Sequence, residues 1–202
     1  MMCQVTKIEK QTKRDRYNIY LDGFYSLSLA AKVLNDTFIK KGDKLTSRDI
    51  EKAKQADIFS KAFDNALNIL SYRSHTQKEI SAKLSKKFDL QIVNKVIQKL
   101  KTINLINDKN FTERYVEQSK KGKKLIKLEL LKKGVDKDLI EKHLENKDEE
   151  LELKNASKIA DRVLKKYEKS EKIIQKKKLY EALIRKGFSY DTYKKIILEK
   201  FL

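Results

Sequence analysis

The chain has 202 residues and carries 48 Lys and Arg against 29 Asp and Glu, so its formal net charge is +19. It contains no Pro, one Cys and five Gly, which excludes an internal disulfide, a Cys-based zinc site and a Pro-rich linker. No apolar run approaches the ~18–20 residues of a membrane span, and no secretory signal is recognisable. The composition therefore predicts a soluble cytoplasmic protein.

The positive charge is spread evenly along the chain. Residues 1–56, 57–107, 108–147 and 148–202 carry net charges of +5, +5, +4 and +5. A uniformly positive body suits an elongated polyanion, such as a DNA strand or a nucleoprotein filament, because each neutralised phosphate releases counterions. The alternative is ordinary surface solvation, since only seven of the basic residues are Arg and Lys-rich usage also accompanies an AT-rich genome.

The first 45 residues predict a small β-hairpin module. Residues 17–21 and 24–29 alternate apolar and polar side chains on either side of Asp22-Gly23, a pattern that indicates a hairpin with a type I′ turn. Residues 5–11 predict a third strand and residues 30–34 a short helix, before Gly42-Asp43 ends the module.

Everything after Thr46 predicts helix. Thr46 with Asp49, and Thr76 with Glu79, have the spacing of N-terminal capping residues. Asp89 is the predicted cap of a further helix, and either Asn107 or Asp108 opens the next one.

A helical motif recurs along this part of the chain. Residues 130–136 (LLKKGVD) return as residues 183–189 (LIRKGFS), and a copy without Gly occupies residues 84–89. Gly134 and Gly187 are predicted to end their helices in a left-handed conformation. Because a single unit cannot bury its apolar surfaces alone, three units are expected to stack into an elongated, curved array.

The predicted fold is therefore mainly all-α, with three tandem three-helix repeats after the hairpin module. The predicted boundaries are residues 1–45 for the module and residues 46–107, 108–147 and 148–202 for the repeats.

Three segments resemble the RecX family, the bacterial regulators of the RecA recombinase. The first runs from Ala66 to Leu84 and includes Ser71-Tyr72-Arg73, the second is Leu105–Phe111, and the third is Leu130–Val135. The resemblance covers residues 56–202, and the hairpin and short helix look like the N-terminal extension of longer members. The chain departs from the family pattern by lacking a Gly before Phe88 and by having Thr112 after Phe111.

The resemblance implies a monomeric regulator without catalysis or a cofactor. Such a protein binds in the groove of the filament of RecA on single-stranded DNA, where it restrains filament extension, strand exchange and co-protease activity in DNA repair and the SOS response. The alternative is a helical repeat protein that binds single-stranded nucleic acid without specificity.

The candidate contact residues are mainly basic. Tyr72 and Arg73 are suited to stacking and to bidentate binding of phosphate or carboxylate. An equally good explanation is that Tyr72 packs under the turn and Arg73 pairs with a neighbouring helix. Lys120, Lys121, Lys123 and Lys124 oppose the dipole of the helix they precede, which favours a position facing an anion. The full set predicted to contact partner or DNA is Tyr72, Arg73, Lys83, Lys86, Lys87, Lys120, Lys121, Lys123, Lys124, Lys132, Lys133, Lys176, Lys177, Lys178, Arg185 and Lys186.

No residue set predicts an enzyme or a metal site. The sequence has no phosphate-binding loop, and Cys3 stands alone. His143 follows Leu139 and Ile140 at helical spacing and is predicted to pack half-buried, while His75 is predicted to lie in a loop. The acidic residues 148–150 and Glu152 are predicted to form a solvated linker or the first turn of a helix.

Overall fold

Four strands and ten helices account for most of residues 2–201, which are the residues that this computed structural model describes. The strands are β1 (Met2–Lys10), β2 (Arg16–Leu21), β3 (Phe24–Ala30) and β4 (Lys44–Thr46). The helices are α1 (Ala31–Thr37), α2 (Ser47–Tyr72), α3 (Gln77–Leu84), α4 (Leu90–Thr102), α5 (Asp108–Gln118), α6 (Lys123–Lys132), α7 (Lys137–Glu145), α8 (Glu149–Lys166), α9 (Lys172–Arg185) and α10 (Tyr190–Phe201).

The chain forms two units. The first contains the residues up to Ser74 together with Ile80–Leu105, and the second contains His75–Glu79 together with the residues from Ile106 onward. The predicted fold class is confirmed: an antiparallel strand module precedes three sets of three helices.

The strand module is an antiparallel sheet in the order β3-β2-β1-β4. Asp22 and Gly23 both have positive φ, of 50° and 90°, as the predicted type I′ turn requires. The sheet is larger than the predicted hairpin because β4 pairs with the start of β1, with Leu45 opposite Cys3. The sequence does not predict β4, since three residues are too few to show an alternating pattern.

Helix α2 belongs both to the strand module and to the first repeat. Its N-terminal half places Ala53 in the same buried cluster as Ile19, Leu29 and Val33. Its C-terminal half packs on α4 within the first unit, and Ala62 and Ala66 are fully buried there. Small side chains on this face leave room for the large apolar residues of α4.

The second unit contains two further apolar cores. One is formed by α5, α6 and α7 around Ile126, Leu130 and Ile140. The other is formed by α8, α9 and α10 around Leu179 and Phe188. Each core comes from three consecutive helices, which is the predicted repeat.

The helix ends follow most of the sequence signals. Thr46 and Asp49 form the predicted capping box, and the Asn107 side chain accepts hydrogen bonds from the amides of Lys109 and Asn110. Asp89 stands at the predicted cap position of α4, but its side chain makes no capping hydrogen bond.

The recurring glycines end their helices as predicted. Gly134 and Gly187 have φ of +79° and +83°. The amide of the following residue donates to the carbonyl five positions earlier, from Val135 to Leu130 and from Phe188 to Leu183, which is the Schellman arrangement. Asn104, with φ of +55°, has the same role after α4.

A buried ion pair joins α2 to the sheet. The Arg16 guanidinium donates to both carboxylate oxygens of Asp57, at 3.1 and 2.8 Å. Lys61 lies 2.7 Å from the same carboxylate, and the Ala30 amide donates to it at 2.9 Å. Burial acts to raise the pKa of Asp57, but the hydrogen bonds from Arg16, Lys61 and Ala30 outweigh it, so the pKa lies below its ordinary value.

Asp57→Ala is expected to lower the free energy of unfolding by about 3 kcal/mol, because it leaves a largely buried guanidinium without its carboxylate. Asp64→Ala is the matched control, since Asp64 is an exposed carboxylate on the same helix, and it is expected to change stability by less than about 0.5 kcal/mol. Urea unfolding at neutral pH measures both values, and equal losses would contradict the assigned role of the pair.

The ion pair also predicts that the stability of the folded protein depends on pH in the acid range. A carboxyl group whose pKa is depressed on folding stabilises the folded state above the pKa of the unfolded chain, and this stabilisation is lost as the pH falls through the folded-state value. Wild type and Asp57→Ala are therefore expected to differ most near neutral pH. The difference is expected to start shrinking only below about pH 4, the ordinary Asp range, and to vanish as the pH falls through the lower folded-state pKa of Asp57.

Candidate partner-binding surface

The backbone at the start of α6 touches the backbone at the end of α9. The Gly122 amide donates to the Lys186 carbonyl at 3.0 Å, and the Lys124 amide donates to the Gly187 carbonyl at 3.1 Å. Amides at a helix start and carbonyls at a helix end have no partner within their own helix. Here the two sets satisfy each other, and the positive end of one helix dipole meets the negative end of the other.

The start of α3 meets the end of α6 in a similar way. The Thr76 hydroxyl donates to the Lys133 carbonyl at 2.6 Å, and the Lys133 ammonium lies 2.8 Å from the Glu79 carboxylate. Thr76 and Glu79 also form the predicted capping box, with backbone-to-side-chain bonds of 3.2 Å in both directions. Within the second unit, the residues that begin α3 thus bond to the end of α6, as those that begin α6 bond to the end of α9.

Several residues of these junctions are absent from the sequence predictions. A Cβ on Gly122 would collide with the backbone of Gly187, yet Gly122 has an ordinary φ of −72° and no sequence signal marks it. Lys147 is buried and donates from its ammonium to the Lys121 carbonyl at 2.7 Å. Burial lowers the pKa of Lys147, while the nearby Glu152 acts to raise it.

The acidic run at the start of α8 is only partly solvated. Asp148 caps the helix through the amides of Glu150 and Leu151, and residues 149 and 150 are exposed. Glu152 is buried, and its carboxylate accepts from the Lys123 amide at 3.3 Å. The acidic residues lie in the first turn of α8, so that alternative of the prediction is confirmed and the solvated linker is wrong. Glu152 is buried in this turn, where its carboxylate helps to hold the start of α6.

Lys121 is turned toward the protein. Its ammonium lies 2.6 Å from the Glu129 carboxylate, which also accepts from the Tyr115 hydroxyl at 2.6 Å. Burial and the hydrogen bond to Glu129 raise the pKa of Tyr115 to about 12. Burial acts to raise the pKa of Glu129, but hydrogen bonds from Lys121 and Tyr115 lower it overall. Lys121 therefore has its own carboxylate, in contrast to the predicted position facing an external anion.

The predicted contact residues divide into an exposed and a half-buried group. The half-buried ones are Lys121, Lys123, Lys133 and Lys178. Lys178 lies 2.9 Å from Glu181. The exposed ones are Tyr72, Arg73, Lys83, Lys86, Lys87, Lys120, Lys124, Lys132, Lys176, Lys177, Arg185 and Lys186.

Tyr72 and Arg73 stand where α2 ends. Tyr72 is 88% exposed, so the alternative in which it packs under the turn is wrong. The Arg73 guanidinium donates to the Ser74 carbonyl at 2.9 Å. The two side chains are therefore presented at the surface of the first unit.

The two histidines of the chain are both removed from the surface, at least in part. His143 is half-buried as predicted, and its Nε2 atom has no hydrogen-bond partner among residues 2–201. His75 lies in the loop before α3 but is 4% exposed. Among residues 2–201, no group of three or more His, Cys, Asp or Glu is arranged to hold a metal ion. No helix within the same residues is both long and apolar enough to span a membrane.

Family models match each part of this architecture. The model of the regulatory protein RecX N-terminal domain matches residues 3–46, and the models of the first, second and third three-helix domains of RecX match residues 62–100, 107–144 and 149–197. The chain belongs to the RecX family. The match to the second three-helix domain corresponds to α5–α7, and the match to the third corresponds to α8–α10.

Curated relatives support the same assignment over nearly the whole chain. The regulatory protein RecX of Listeria innocua is 35% identical over 97% of this chain and 75% of its own length. That of Clostridioides difficile is 33% identical over 96% of this chain and 93% of its own length.

Two solved RecX structures resemble this one. A crystal structure of regulatory protein RecX has a TM-score of 0.77 at 31% identity and covers 96% of this chain and 98% of its own. The crystal structure of RecX from Lactobacillus salivarius has a TM-score of 0.64 at 38% identity and covers 71% of this chain and 97% of its own. RecX proteins thus share both the sequence pattern and the fold described here.

Three glycine substitutions distinguish the cost of a positive φ from the cost of a Cβ that has no room. Gly187→Ala combines a positive φ with a Cβ that would meet the backbone of Leu125, Gly122→Ala has the collision alone, and Gly42→Ala has positive φ with open space. We expect Gly42→Ala to cost about 1 kcal/mol of unfolding free energy, and Gly187→Ala clearly more. Gly122→Ala is expected to destabilise despite its ordinary φ, and a melting temperature equal to wild type would contradict the close approach.

Lys133 and Lys132 form a matched pair at the end of α6. Lys133→Gln removes the ion pair with Glu79 and is expected to lower the free energy of unfolding by about 1 kcal/mol, since the pair is only about one-fifth exposed. Lys132→Gln removes an exposed charge one residue away and is expected to change stability by less than about 0.5 kcal/mol. Chemical denaturation measures both, and equal values would show that Lys133 has no structural role.

Proposed function

We propose that this protein regulates the RecA recombinase by binding the filament that RecA forms on single-stranded DNA. In this proposal it restrains filament extension, strand exchange and co-protease activity, and so acts in DNA repair and the SOS response. The observation that carries the proposal is membership of the RecX family over nearly the full chain. The family is one of regulatory proteins, and we propose no catalysis and no cofactor for this member.

The exposed cations supply a surface of the right charge for such a filament. Lys124, Lys132, Lys176 and Lys177 are exposed, and none of them has an ion pair with another residue in the described range 2–201. A phosphate backbone or a row of acidic side chains is the complementary partner. We propose that Tyr72, Arg73 and the exposed lysines of the predicted contact set bind this partner.

We propose wedging between filament protomers as the mechanism, because successive repeats present similar helices to a partner that is itself repetitive. The protein is proposed to act as a monomer in the cytoplasm. Its proposed functional divisions are residues 1–45, 46–107, 108–147 and 148–202.

A second candidate is binding of single-stranded nucleic acid by charge alone, which the formal charge of +19 favours. The two candidates differ in their response to salt. Binding by charge alone falls steeply as salt rises, whereas a protein–filament interface retains contacts that salt affects less.

Two double charge reversals test the proposed surface. Lys124→Glu with Lys132→Glu, and separately Lys176→Glu with Lys177→Glu, are expected to raise the concentration that suppresses the ATPase of the cognate recombinase on single-stranded DNA by about tenfold. Each single reversal should have a milder effect, because exposed charges contribute little individually.

The control is Lys54→Glu with Lys95→Glu, which makes the same charge change at exposed positions of the first unit. It is expected to suppress the ATPase as the unchanged protein does. Suppression by both test variants at the unchanged concentration would show that this surface is not the binding face. If the unchanged protein has no effect on the recombinase, the proposed function is wrong.

A further inference from the structure

A cavity of about 580 Å³ opens in the second unit beside the loop that joins α5 to α6. Its walls are formed by Tyr115 at the end of α5, by the loop residue Lys120, by one face of α8 and by Lys186 after α9. Volumes of about 300–1,000 Å³ are typical of small-molecule sites.

The charge of this cavity is entirely positive. Lys120, Lys158, Arg162 and Lys186 all line it, and none of the lining residues is acidic. None of these four side chains has an ion pair with any residue in the range 2–201. Lys121 also lines it, but its ammonium is occupied by Glu129. Four cations around one concavity repel one another, and an anion between them would remove that repulsion.

Asn155 provides a second, independent indication of a ligand. Its side chain lines the cavity, the residue is only 8% exposed, and its carboxamide makes no hydrogen bond with the described residues. Most of this residue is buried, but the carboxamide atoms are open to the cavity that they line, so they are available to a ligand there. A carboxamide offers both donors and an acceptor, which is the combination that pairs with the edge of a nucleobase.

Besides the polar Gln118 and Ser119, the rest of the wall is apolar or aromatic. Ile159 lies one turn beyond Asn155 on α8, and the Tyr115 ring stands against Phe111 with ring centroids 5.9 Å apart. The hydroxyl of Tyr115 is held by Glu129, so the ring is fixed in place. A fixed aromatic ring is a surface on which a base can stack.

We propose that this cavity binds a nucleoside phosphate. Lys158 and Arg162, one turn apart on α8, bind the phosphate together with Lys120 and Lys186. The base lies against Tyr115 and Ile159, and Asn155 bonds to its edge. The ligand is either one nucleotide of a single strand or a free nucleotide, since both offer the same groups. The cavity contains none of the four lysines that are reversed in the recombinase test, and nucleotide binding is measured on this protein alone.

The test compares two variants that make the same charge change on the same helix. Lys158→Gln with Arg162→Gln removes two cations from the cavity, whereas Lys154→Gln with Lys165→Gln removes two exposed cations of α8 that do not line it. The probes are a fluorescent twelve-residue oligothymidylate, followed by anisotropy, and thymidine 5′-monophosphate, followed by calorimetry. The cavity variant is expected to lose about tenfold in affinity and the control less than about twofold. Equal losses in the two variants would overturn the site, because diffuse charge would then explain all binding.

Asn155→Asp tests the proposed contact to the base. The change keeps the size of the side chain but adds a negative charge among the cations, and it is expected to weaken both probes at least as strongly as the double variant. Thermal melts check that the fold is retained; Asn155→Ser at the same position is the alternative if Asn155→Asp does not fold. Binding unchanged by the folded Asn155 variant would overturn the assignment.

A competition experiment between the two probes shows whether the ligand is a free nucleotide or part of a strand. If thymidine 5′-monophosphate displaces the oligonucleotide, the cavity accepts a free nucleotide; if only the oligonucleotide binds, the ligand is part of a strand. Either result supports the site when the cavity variant removes it. Displacement by inorganic phosphate as effective as that by the nucleotide would overturn the proposal, because the base would then contribute nothing.

Discussion

The close approach of Gly122 to Gly187 constrains how the last two repeats can pack. Two backbones in hydrogen-bonding contact leave no space for a Cβ on Gly122, and the same contact satisfies the free amides of α6 with the free carbonyls of α9. The junction between α3 and α6 reaches a similar result through a side chain, because the Thr76 hydroxyl bonds to the carbonyl of Lys133. Helix ends that would otherwise need water therefore become the points at which repeats join.

These junctions also decide which lysines are available to a partner. A positive end group beside a helix C-terminus is stabilised by the dipole, and both Lys133 and Lys186 occupy that position. Lys133 is engaged by Glu79, whereas Lys186 is exposed and lines the cavity beside α8. Equivalent positions in two copies of one motif thus have different roles, because within residues 2–201 only Lys133 is paired with a carboxylate.

The loop between α5 and α6 connects the junction to the proposed nucleoside phosphate site. The Lys147 ammonium donates a hydrogen bond to the Lys121 carbonyl, and the Lys121 ammonium forms an ion pair with Glu129. With this loop fixed, Lys120 faces the cavity together with Lys158 and Arg162 of α8. The loop is therefore held by the half-buried ion pair of Lys121 with Glu129 and by the buried ammonium of Lys147. The cavity cations that have no ion pair within residues 2–201 are left for a ligand.

The sequence alone determined the repeated helices, their caps and their left-handed glycines, because these depend on contacts within a few residues: the Asp22-Gly23 turn, the Thr76 and Glu79 box and the ends at Gly134 and Gly187 were all predictable. The family resemblance came from the same local motifs. Only the tertiary structure decided the pairing of β4, the lack of room for a Cβ at Gly122, the burial of Lys147 and Glu152, and which lysines are paired and which are exposed. For β4, Gly122, Lys147 and Glu152 the partner lies more than twenty residues away in the chain, so a local sequence pattern cannot predict it. Lys121 and Lys178 pair with carboxylates only eight and three residues away, but these pairs were not predicted from the sequence.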